Sequence, residues 1–225
     1  VMKLIKKFAC ATGAGLLCGF IFAVAVMLYM GRITKGAKIE KYENPRKALL
    51  VIDVQEDFCG ASAGPRPPFR DTQKTIDVIN GAVEAAAKKG FEIVYIRQEF
   101  DGTWGTLIGK TIFGGRALKG GPGTGMDRRV AVVSKNDFTK PIGDAFSNPG
   151  LDAFLVKNKI NELYLTGLDA EYCVLSTARG ALNRGYKVHI LKDAILLSNQ
   201  KKWNEIMDIY RKEGINLMPT TALSE

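Results

Sequence analysis

Histidine is almost absent from this chain, and cysteine is scarce. The only histidine among the 225 residues is His189, which lies in an apolar segment that predicts a buried strand. A core or edge role is therefore favoured over a metal ligand, and we expect no metal site and no other cofactor. Two of the four cysteines, Cys10 and Cys18, lie in an apolar run. The remaining two, Cys59 and Cys173, are too few for a disulfide framework.

Acidic residues are too few to balance the basic ones, and the net charge of +9 would suit a nucleic-acid partner if it were spread over the chain. It is not: residues 1–47 hold nine lysines and arginines and two acidic residues, or +7, and the remaining 178 residues carry +2. The excess flanks an apolar segment, so a membrane surface explains it better than a phosphate backbone. We therefore expect no nucleic-acid partner.

The apolar segment consists of residues 8–30, which are 23 residues without a charge. As a helix it would cover roughly 34 Å, about the thickness of the hydrocarbon core of a bilayer. The sequence therefore predicts a single-pass membrane protein with an N-terminal anchor at 1–30, a charged tether at 31–46 and a domain at 47–225. Basic residues flank the segment on both sides, so the side of the membrane that holds the domain is left open.

A cleaved signal peptide is the alternative reading of the same segment. Lys3, Lys6 and Lys7 resemble the basic start of a signal peptide, and Ala23 and Ala25 provide a small-x-small pattern. However, the run exceeds the usual apolar region of about 7 to 15 residues and continues past Ala25. The retained anchor is therefore favoured.

Beyond residue 47, short apolar segments alternate with helical patterns, which predicts an α/β domain with a parallel sheet and right-handed crossovers. The first segment, 48–52, has five apolar residues without alternation, as is typical of a central strand buried on both faces. The predicted strands cover residues 48–52, 91–97, 130–133, 163–165, 188–191 and 215–218.

Three chemically active side chains follow predicted strands: Asp53 the first, Lys135 the third and Cys173 the fourth. Ligands of open parallel sheets collect at the carboxyl ends of strands, so these side chains are site candidates. Cys173 stands where a helix begins, which favours exposure and a lowered thiol pKa. Asp53 is equally well explained as the cap of a turn, and Lys140 competes with Lys135 for the place beside the thiol.

Two glycine-rich stretches resemble phosphate-binding loops without matching them. Gly105 and Gly109 are separated by three residues where the motif requires four, and the stretch 120–125 contains Pro122 and does not join a strand to a helix. Nucleotide binding is therefore not expected. Cys59 follows the first strand and could approach a pocket, but a small, partly buried loop residue is the favoured interpretation.

Taken together, the stretches 49–58, 132–146 and 166–188 resemble the isochorismatase-like cysteine hydrolases, the family that includes nicotinamidase and N-carbamoylsarcosine amidohydrolase. The resemblance covers residues 47–219. It implies a three-layer α/β/α fold with a six-stranded parallel sheet in the order 3-2-1-4-5-6. It also implies an Asp-Lys-Cys triad, for which it selects Lys135 over Lys140, and a homo-oligomeric assembly.

The mechanism that the resemblance implies proceeds through a thioester acyl-enzyme on Cys173, with Asp53 activating the hydrolytic water. A non-proline cis peptide between Leu168 and Asp169 would direct the backbone N–H groups of Asp169 and Cys173 into an oxyanion hole. Residues next to the motifs are the candidates for binding a planar substrate. They are Phe58, Arg97, Phe138 and Tyr172.

The sequence departs from the family in ways that narrow the substrate. Nicotinamidase-like members carry an Asp/His metal site, which the lone His189 does not provide. Glu171 replaces an aspartate that many relatives have two residues before the nucleophile. Because ether hydrolases of the isochorismatase type often lack the cysteine, Cys173 favours small amide, carbamoyl or ureide substrates. An ether hydrolase and a membrane-tethered, non-catalytic binding module are the alternatives.

Overall fold

The computed structural model describes residues 19–60, 63–64, 68–69 and 72–223. Its six strands form one parallel sheet in the order β3-β2-β1-β4-β5-β6, as expected from the resemblance. The strands are β1 (Arg46–Ile52), β2 (Glu92–Gln98), β3 (Asp137–Lys140), β4 (Ile160–Gly167), β5 (Lys187–Ile195) and β6 (Asn216–Met218). The helices are α1 (residues 19–30 as described), α2 (Glu56–Cys59), α3 (Gln73–Lys88), α4 (Gly102–Thr111), α5 (Pro149–Lys157), α6 (Cys173–Arg184) and α7 (Trp203–Lys212).

The central strand is β1, which pairs with β2 on one side and β4 on the other. Its residues 48–52 are fully buried, as an apolar run without alternation predicts. One face of the sheet packs against α5, α6 and α7, and the other against α1, α3 and α4. The fold is therefore the expected three-layer α/β/α sandwich.

The third strand is not where the sequence predicts it. Residues 130–133 form no strand, and Val132 and Val133 are 58% and 57% exposed. The strand at this edge of the sheet is β3, which pairs with β2 from Tyr95 to Gln98. Its sequence Asp-Phe-Thr-Lys is mostly polar because an edge strand has only one neighbour and one well-covered face.

The prediction of a membrane-spanning helix at residues 8–30 is wrong. Within the described residues no helix combines the length and the apolar character needed to cross a bilayer. The described part, α1, would reach about 18 Å, well short of the roughly 30 Å of hydrocarbon. Its Val26 is 3% exposed and packs in the protein core. Residues 8–18 lie outside the described residues, and the single-pass localisation deduced from this span is corrected with it.

The charged tether is predicted at residues 31–46. Residues 31–45 contain no helix or strand, and Arg46 already begins β1. The segment is bound to the domain. The N–H and Oγ1 of Thr34 donate to Oδ2 of Asp144 at 2.8 and 2.6 Å. Nη1 of Arg184 donates to Oγ1 of Thr34 at 3.0 Å, and the N–H of Ile39 donates to the carbonyl of Arg184. The segment therefore runs along the C-terminal half of α6.

Candidate active site

Four polar side chains meet at the carboxyl edge of the sheet. Gln98 and Lys140 are the last residues of β2 and β3 and are paired in register. Asp53 directly follows β1, and Cys173 begins α6 after β4. Because β3, β2, β1 and β4 are neighbours in the sheet, their carboxyl ends bring these residues together.

Lys140 joins the other three residues. Its Nζ lies 2.8 Å from Oδ2 of Asp53, 2.8 Å from Oε1 of Gln98 and 3.3 Å from Sγ of Cys173. The side chain of Lys140 is fully buried, so its three N–H groups are all satisfied inside the protein. The pKa of Lys140 is raised: burial alone would lower it, but the adjacent Asp53 and Cys173 outweigh the burial.

The structure does not bring Lys135 to Asp53 and Cys173, which corrects the predicted triad. Lys135 is exposed and lies two residues before β3, beside Asn136, whose side chain donates to Oε2 of Glu92 at the start of β2. That is the amino edge of the sheet. Five residues at about 3.3 Å each separate it from Lys140 by roughly 16 Å. The competing lysine of the same sequence motif, Lys140, occupies the expected place.

Asp53 is held in an unusual backbone conformation. Its φ is 56°, in the left-handed region that aspartate enters more readily than most residues. Its N–H still donates to the carbonyl of Ile96 at 2.8 Å, which keeps it in register with β2. The residue is 2% exposed, and its Oδ1 is buried without a hydrogen-bond partner within the part of the chain that the structure describes. That oxygen is available as a hydrogen-bond acceptor.

The surroundings of Cys173 favour the neutral thiol over the thiolate. Burial raises its pKa to about 12, Lys140 opposes the rise, and Asp53 adds to it. The expectation of a lowered pKa from the helix start alone is therefore wrong. A thiol in this state needs a base at the moment of attack, and Asp53 is the carboxylate beside it.

The peptide bond between Leu168 and Asp169 is cis, as expected from the resemblance. Asp169 then bridges two neighbouring segments: its Oδ1 accepts from the N–H of Glu171 at 2.7 Å and its Oδ2 from the N–H of Ser198 at 2.9 Å. Among the described residues, the backbone N–H groups of Asp169 and Cys173 have no acceptor. Both donors of the predicted oxyanion hole are therefore available to a ligand.

The sequence does not predict that Gln98 belongs to the site, nor that the side chain of Gln55 holds the backbone of Gln98 in place. Oε1 of Gln55 accepts from the N–H of Gln98 at 2.7 Å, and Nε2 of Gln55 donates to the carbonyls of Gln98 and Thr124 at 3.1 and 2.9 Å. These bonds fix the end of β2 beneath Lys140. The signal was present, because Gln98 directly follows the predicted second strand just as Asp53 follows the first.

The four residues predicted to bind substrate lie in different surroundings. Phe58 is 8% exposed and packs in the core, and Phe138 packs on the ring of Phe154 at 5.5 Å. Arg97 is paired with Asp137, its Nε 2.9 Å from Oδ1. Tyr172, next to the nucleophile, is 58% exposed. Substrate binding by these residues stays a prediction.

Cys59 and His189 lie apart from the thiol of Cys173. Sγ of Cys59 donates to the carbonyl of Gln55 at 3.3 Å, and burial raises the pKa of its thiol to about 12. His189 stacks on Tyr164 at 4.5 Å, and its Nε2 lies 2.6 Å from Oε1 of Glu162 near the amino end of β4. Over the described ranges, no cluster of histidine, cysteine and acidic residues is arranged to hold a metal ion.

Comparisons with known proteins agree with the geometry. The sequence model of the isochorismatase domain family matches residues 47–222 of this chain. Nicotinamidase of Escherichia coli (strain K12) is 28% identical over 181 residues, which cover 66% of this chain and 82% of that protein. Streptothricin hydrolase of Streptomyces noursei is 33% identical over 150 residues, covering 66% of this chain and 49% of that protein. The N-carbamoylsarcosine amidase of Thermoplasma acidophilum superimposes with a TM-score of 0.65 at 25% identity, covering 78% of this chain and 96% of that one.

Proposed function

The chain belongs to the isochorismatase family of hydrolases, and from this premise we propose that it is a cysteine amidohydrolase acting through Asp53, Lys140 and Cys173. Its substrate is a small amide, carbamoyl compound or ureide, whose C–N bond is cleaved through a thioester acyl-enzyme. The named relatives support amide hydrolysis, since they include a nicotinamidase and a carbamoylsarcosine amidase.

One observation carries the proposal: a buried lysine contacts both a buried carboxylate and a thiol. Nζ of Lys140 lies 2.8 Å from Asp53 and 3.3 Å from Cys173. Lys140 and Asp53 balance each other's charge when the thiol is neutral. When the thiol proton moves to Asp53, the thiolate takes over as the counter-ion of Lys140. The proton transfer therefore leaves the net charge of the three groups unchanged.

Acylation begins as Asp53 accepts the thiol proton and Sγ of Cys173 attacks the carbonyl carbon. The carbonyl oxygen becomes an oxyanion, and the unpaired N–H groups of Asp169 and Cys173 are the donors that stabilise it. Such donors typically contribute about 10² to 10³-fold in rate. The C–N bond then breaks, and Asp53 returns the proton to the departing nitrogen. Ammonia or an amine leaves, and the acyl group remains on sulfur.

Deacylation repeats the cycle with water. Asp53 accepts a proton from the water as its oxygen attacks the thioester carbon, and the same N–H groups hold the new oxyanion. The C–S bond breaks, and the sulfur regains the proton held by Asp53. The products are an acid and the free enzyme. Lys140 remains charged throughout, because its three acceptors hold the ammonium in place.

The proposal is tested with a panel of small primary amides, carbamoyl compounds and ureides, measuring released ammonia or amine. A turnover mixture quenched in acid should contain the peptide of Cys173 with the added mass of the acyl group. Cys173→Ala should lower kcat by about 10³-fold or more. The matched control is Cys59→Ala, whose buried thiol bonds Gln55 and should be dispensable for turnover.

Two results would contradict the proposal. Turnover of the panel that survives Cys173→Ala would exclude an acyl-enzyme on Cys173. A folded protein that binds members of the panel but converts none would be a binding module that does not catalyse their hydrolysis.

A further inference from the structure

Helix α1 lies across the carboxyl edge of the sheet, where the proposed active site is located. Near its start, the ring of Phe22 meets the ring of Trp104 of α4 edge-on, with centroids 5.9 Å apart. At its end, the carbonyl of Met30 accepts a hydrogen bond from the N–H of Gly143 at 3.0 Å. Gly143 follows Lys140 by three residues, and α4 follows the strand that carries Gln98. The helix therefore joins the loops after β2 and β3.

The end of α1 contacts the loop after β3, and that loop approaches the first turn of α6. A methyl group on Gly143 would lie 3.0 Å from the carbonyl oxygen of Met30 and 3.2 Å from Oγ of Ser176. Ser176 is three residues after Cys173 on α6, and residues at that spacing share a helix face. Gly143 therefore lies between the end of α1 and the first turn of α6.

The inward face of α1 is defined by spacing and burial. Phe22, Val26 and Met30 recur at four-residue intervals and pack against the core cluster that also contains Leu168, the residue before Asp169. Val26 is 3% exposed, whereas Phe20 and Met27 are 67% and 74% exposed. One side of the helix is thus packed against the domain beside the site, and the other faces outward.

The chain that follows α1 holds it in place. Oδ2 of Asp144 accepts two hydrogen bonds from Thr34, and Asp144 itself is completely buried. Arg184 of α6 donates to the same threonine at 3.0 Å. The anchored threonine is four residues past Met30, so α1 is fixed at its C-terminal end to the loop after Lys140.

We propose that Phe22, Val26 and Met30 form one wall of the entrance to Cys173 and limit the acyl part of the substrate to small groups. These residues precede the matched family domain, which starts at residue 47. The limit on the acyl group rests on the proposed function, because that function identifies the substrate. The access route to the thiol of Cys173 does not depend on it.

The test compares alkylation of Cys173 by iodoacetamide with that by an iodoacetamide carrying a bulky dye. Both reagents have the same reactive group, so the ratio of their rates cancels changes in thiol pKa. The rates are measured on the full chain by mapping the peptide of Cys173. The double variant Phe22→Ala/Val26→Ala should raise the ratio of bulky to small reagent about tenfold, the scale on which apolar contacts discriminate size.

The matched control is Phe20→Ala/Val24→Ala, which removes the same side chains from the outward face of α1 and should leave the ratio unchanged. An unchanged ratio in the inner variant, or an equal rise in the outer one, overturns the proposal. If the inner double variant does not fold, Val26→Ala alone should still raise the ratio of bulky to small reagent. A ratio in Val26→Ala equal to that in Val24→Ala would overturn the proposal.

Hydrolysis separates this inference from the proposed function. If the variants turn over amides, the inner one should gain kcat/KM for bulky acyl groups relative to acetamide. If no variant hydrolyses any amide but the alkylation ratio rises as expected, the wall stands and the proposed function fails. If amides are hydrolysed with an unchanged size preference and alkylation ratio, the wall fails and the function stands.

Discussion

Lys140 and Asp53 form a buried ion pair: Nζ lies 2.8 Å from Oδ2, and the two side chains are 0% and 3% exposed. Removing one partner of such a pair leaves the other charge buried and unpaired, which typically costs about 3–5 kcal/mol. The pair therefore affects stability as well as chemistry. A test of its catalytic role must separate the two effects.

Lys140→Met should abolish amide hydrolysis, because the thiolate formed during attack would lose its counter-ion. Lys135→Met is the matched control, since Lys135 is exposed at the opposite edge of the sheet and should be neutral within about 0.5 kcal/mol of unfolding free energy. The measurements are kcat with a substrate of the panel and the urea unfolding curve. Loss of activity in Lys135→Met, with Lys140→Met active, would return the role to Lys135.

A double variant distinguishes catalysis from stability. Asp53→Asn/Lys140→Met removes both charges, so it should recover most of the unfolding free energy lost by Lys140→Met alone. It should remain inactive, because the base and the counter-ion are both missing. Recovery of activity together with stability would mean that the pair acts only on folding.

The sequence predicts the sheet and two of the three residues of the proposed triad, Asp53 and Cys173, for a simple physical reason. The central strands β1 and β4 are buried on both faces, so their apolar runs are obvious and the polar residues at their ends stand out. The edge strand β3 has a single fully buried residue, Lys140 itself, and no apolar run. The exposed Val132 and Val133 mimic a strand more closely, which shifted the expected lysine to Lys135.

Other features escape sequence reasoning because they depend on the surroundings of a side chain. Hydropathy does not distinguish a helix that meets lipid from one that packs on protein, as Val26 does. A helix start favours a low thiol pKa, but the burial of Cys173 outweighs it. The homo-oligomer implied by the family resemblance stays a prediction.

Gln98→Leu should lower kcat with little change in KM, because Gln98 positions the ammonium group of Lys140. Its Oε1 is one of the three acceptors of Lys140, so leucine would leave one N–H of the ammonium unsatisfied and allow it to move away from Cys173. Rapid-reaction kinetics measure the change in kcat. The rate of alkylation of Cys173 by iodoacetamide, followed against pH, reports whether the ammonium group still lies beside the sulfur. We expect the alkylation profile to shift upward in pH, since the thiolate loses a fixed cation.

Gln73→Leu is the control for that experiment, because Gln73 lies on the exposed side of α3 with its Nε2 bonded to Asp77. It should leave both kcat and the alkylation profile unchanged. A Gln98→Leu enzyme that is less stable but has the same kcat and the same profile would show that Gln98 supports only the fold.

The titration of His189 should make the free energy of unfolding depend on pH below about pH 6.5. Burial lowers the pKa of His189, although the bonded Glu162 opposes that fall and Lys187 and Lys47 add to it. We assign the ring proton to Nε2, which faces Glu162, because Nδ1 is buried without a partner in the described chain. An unfolded histidine titrates near pH 6.5. Stability should therefore be full above about pH 6.5 and fall as the pH drops toward the lowered pKa.

His189→Gln should remove this pH dependence while keeping a donor for Glu162. Urea unfolding at pH 7.5 and 5.5 should show that the wild-type protein loses more unfolding free energy over this interval than His189→Gln does. The Glu162 carboxyl also titrates, but its pKa is lowered and its effect falls at more acidic pH. Equal losses in the two proteins would contradict a buried neutral histidine.

Gly167→Ala should destabilise the protein and disable the site together. Gly167 has a φ of 110°, and a methyl group there would lie 2.1 Å from the carbonyl oxygen of Ile52 on β1. That oxygen also accepts the N–H of Leu168 at 2.9 Å, so the clash would displace the segment that leads to Asp169. We expect a loss of about 3 kcal/mol or more in unfolding free energy.

Gly81→Ala is the matched control, because Gly81 lies inside α3 with open space around its missing side chain. Alanine favours a helix interior over glycine, so this variant should gain about 0.5–1 kcal/mol. Unfolding curves and kcat of the two variants complete the comparison. If Gly167→Ala were as stable and as active as Gly81→Ala, the close approach of β4 to Ile52 would not be what positions Asp169.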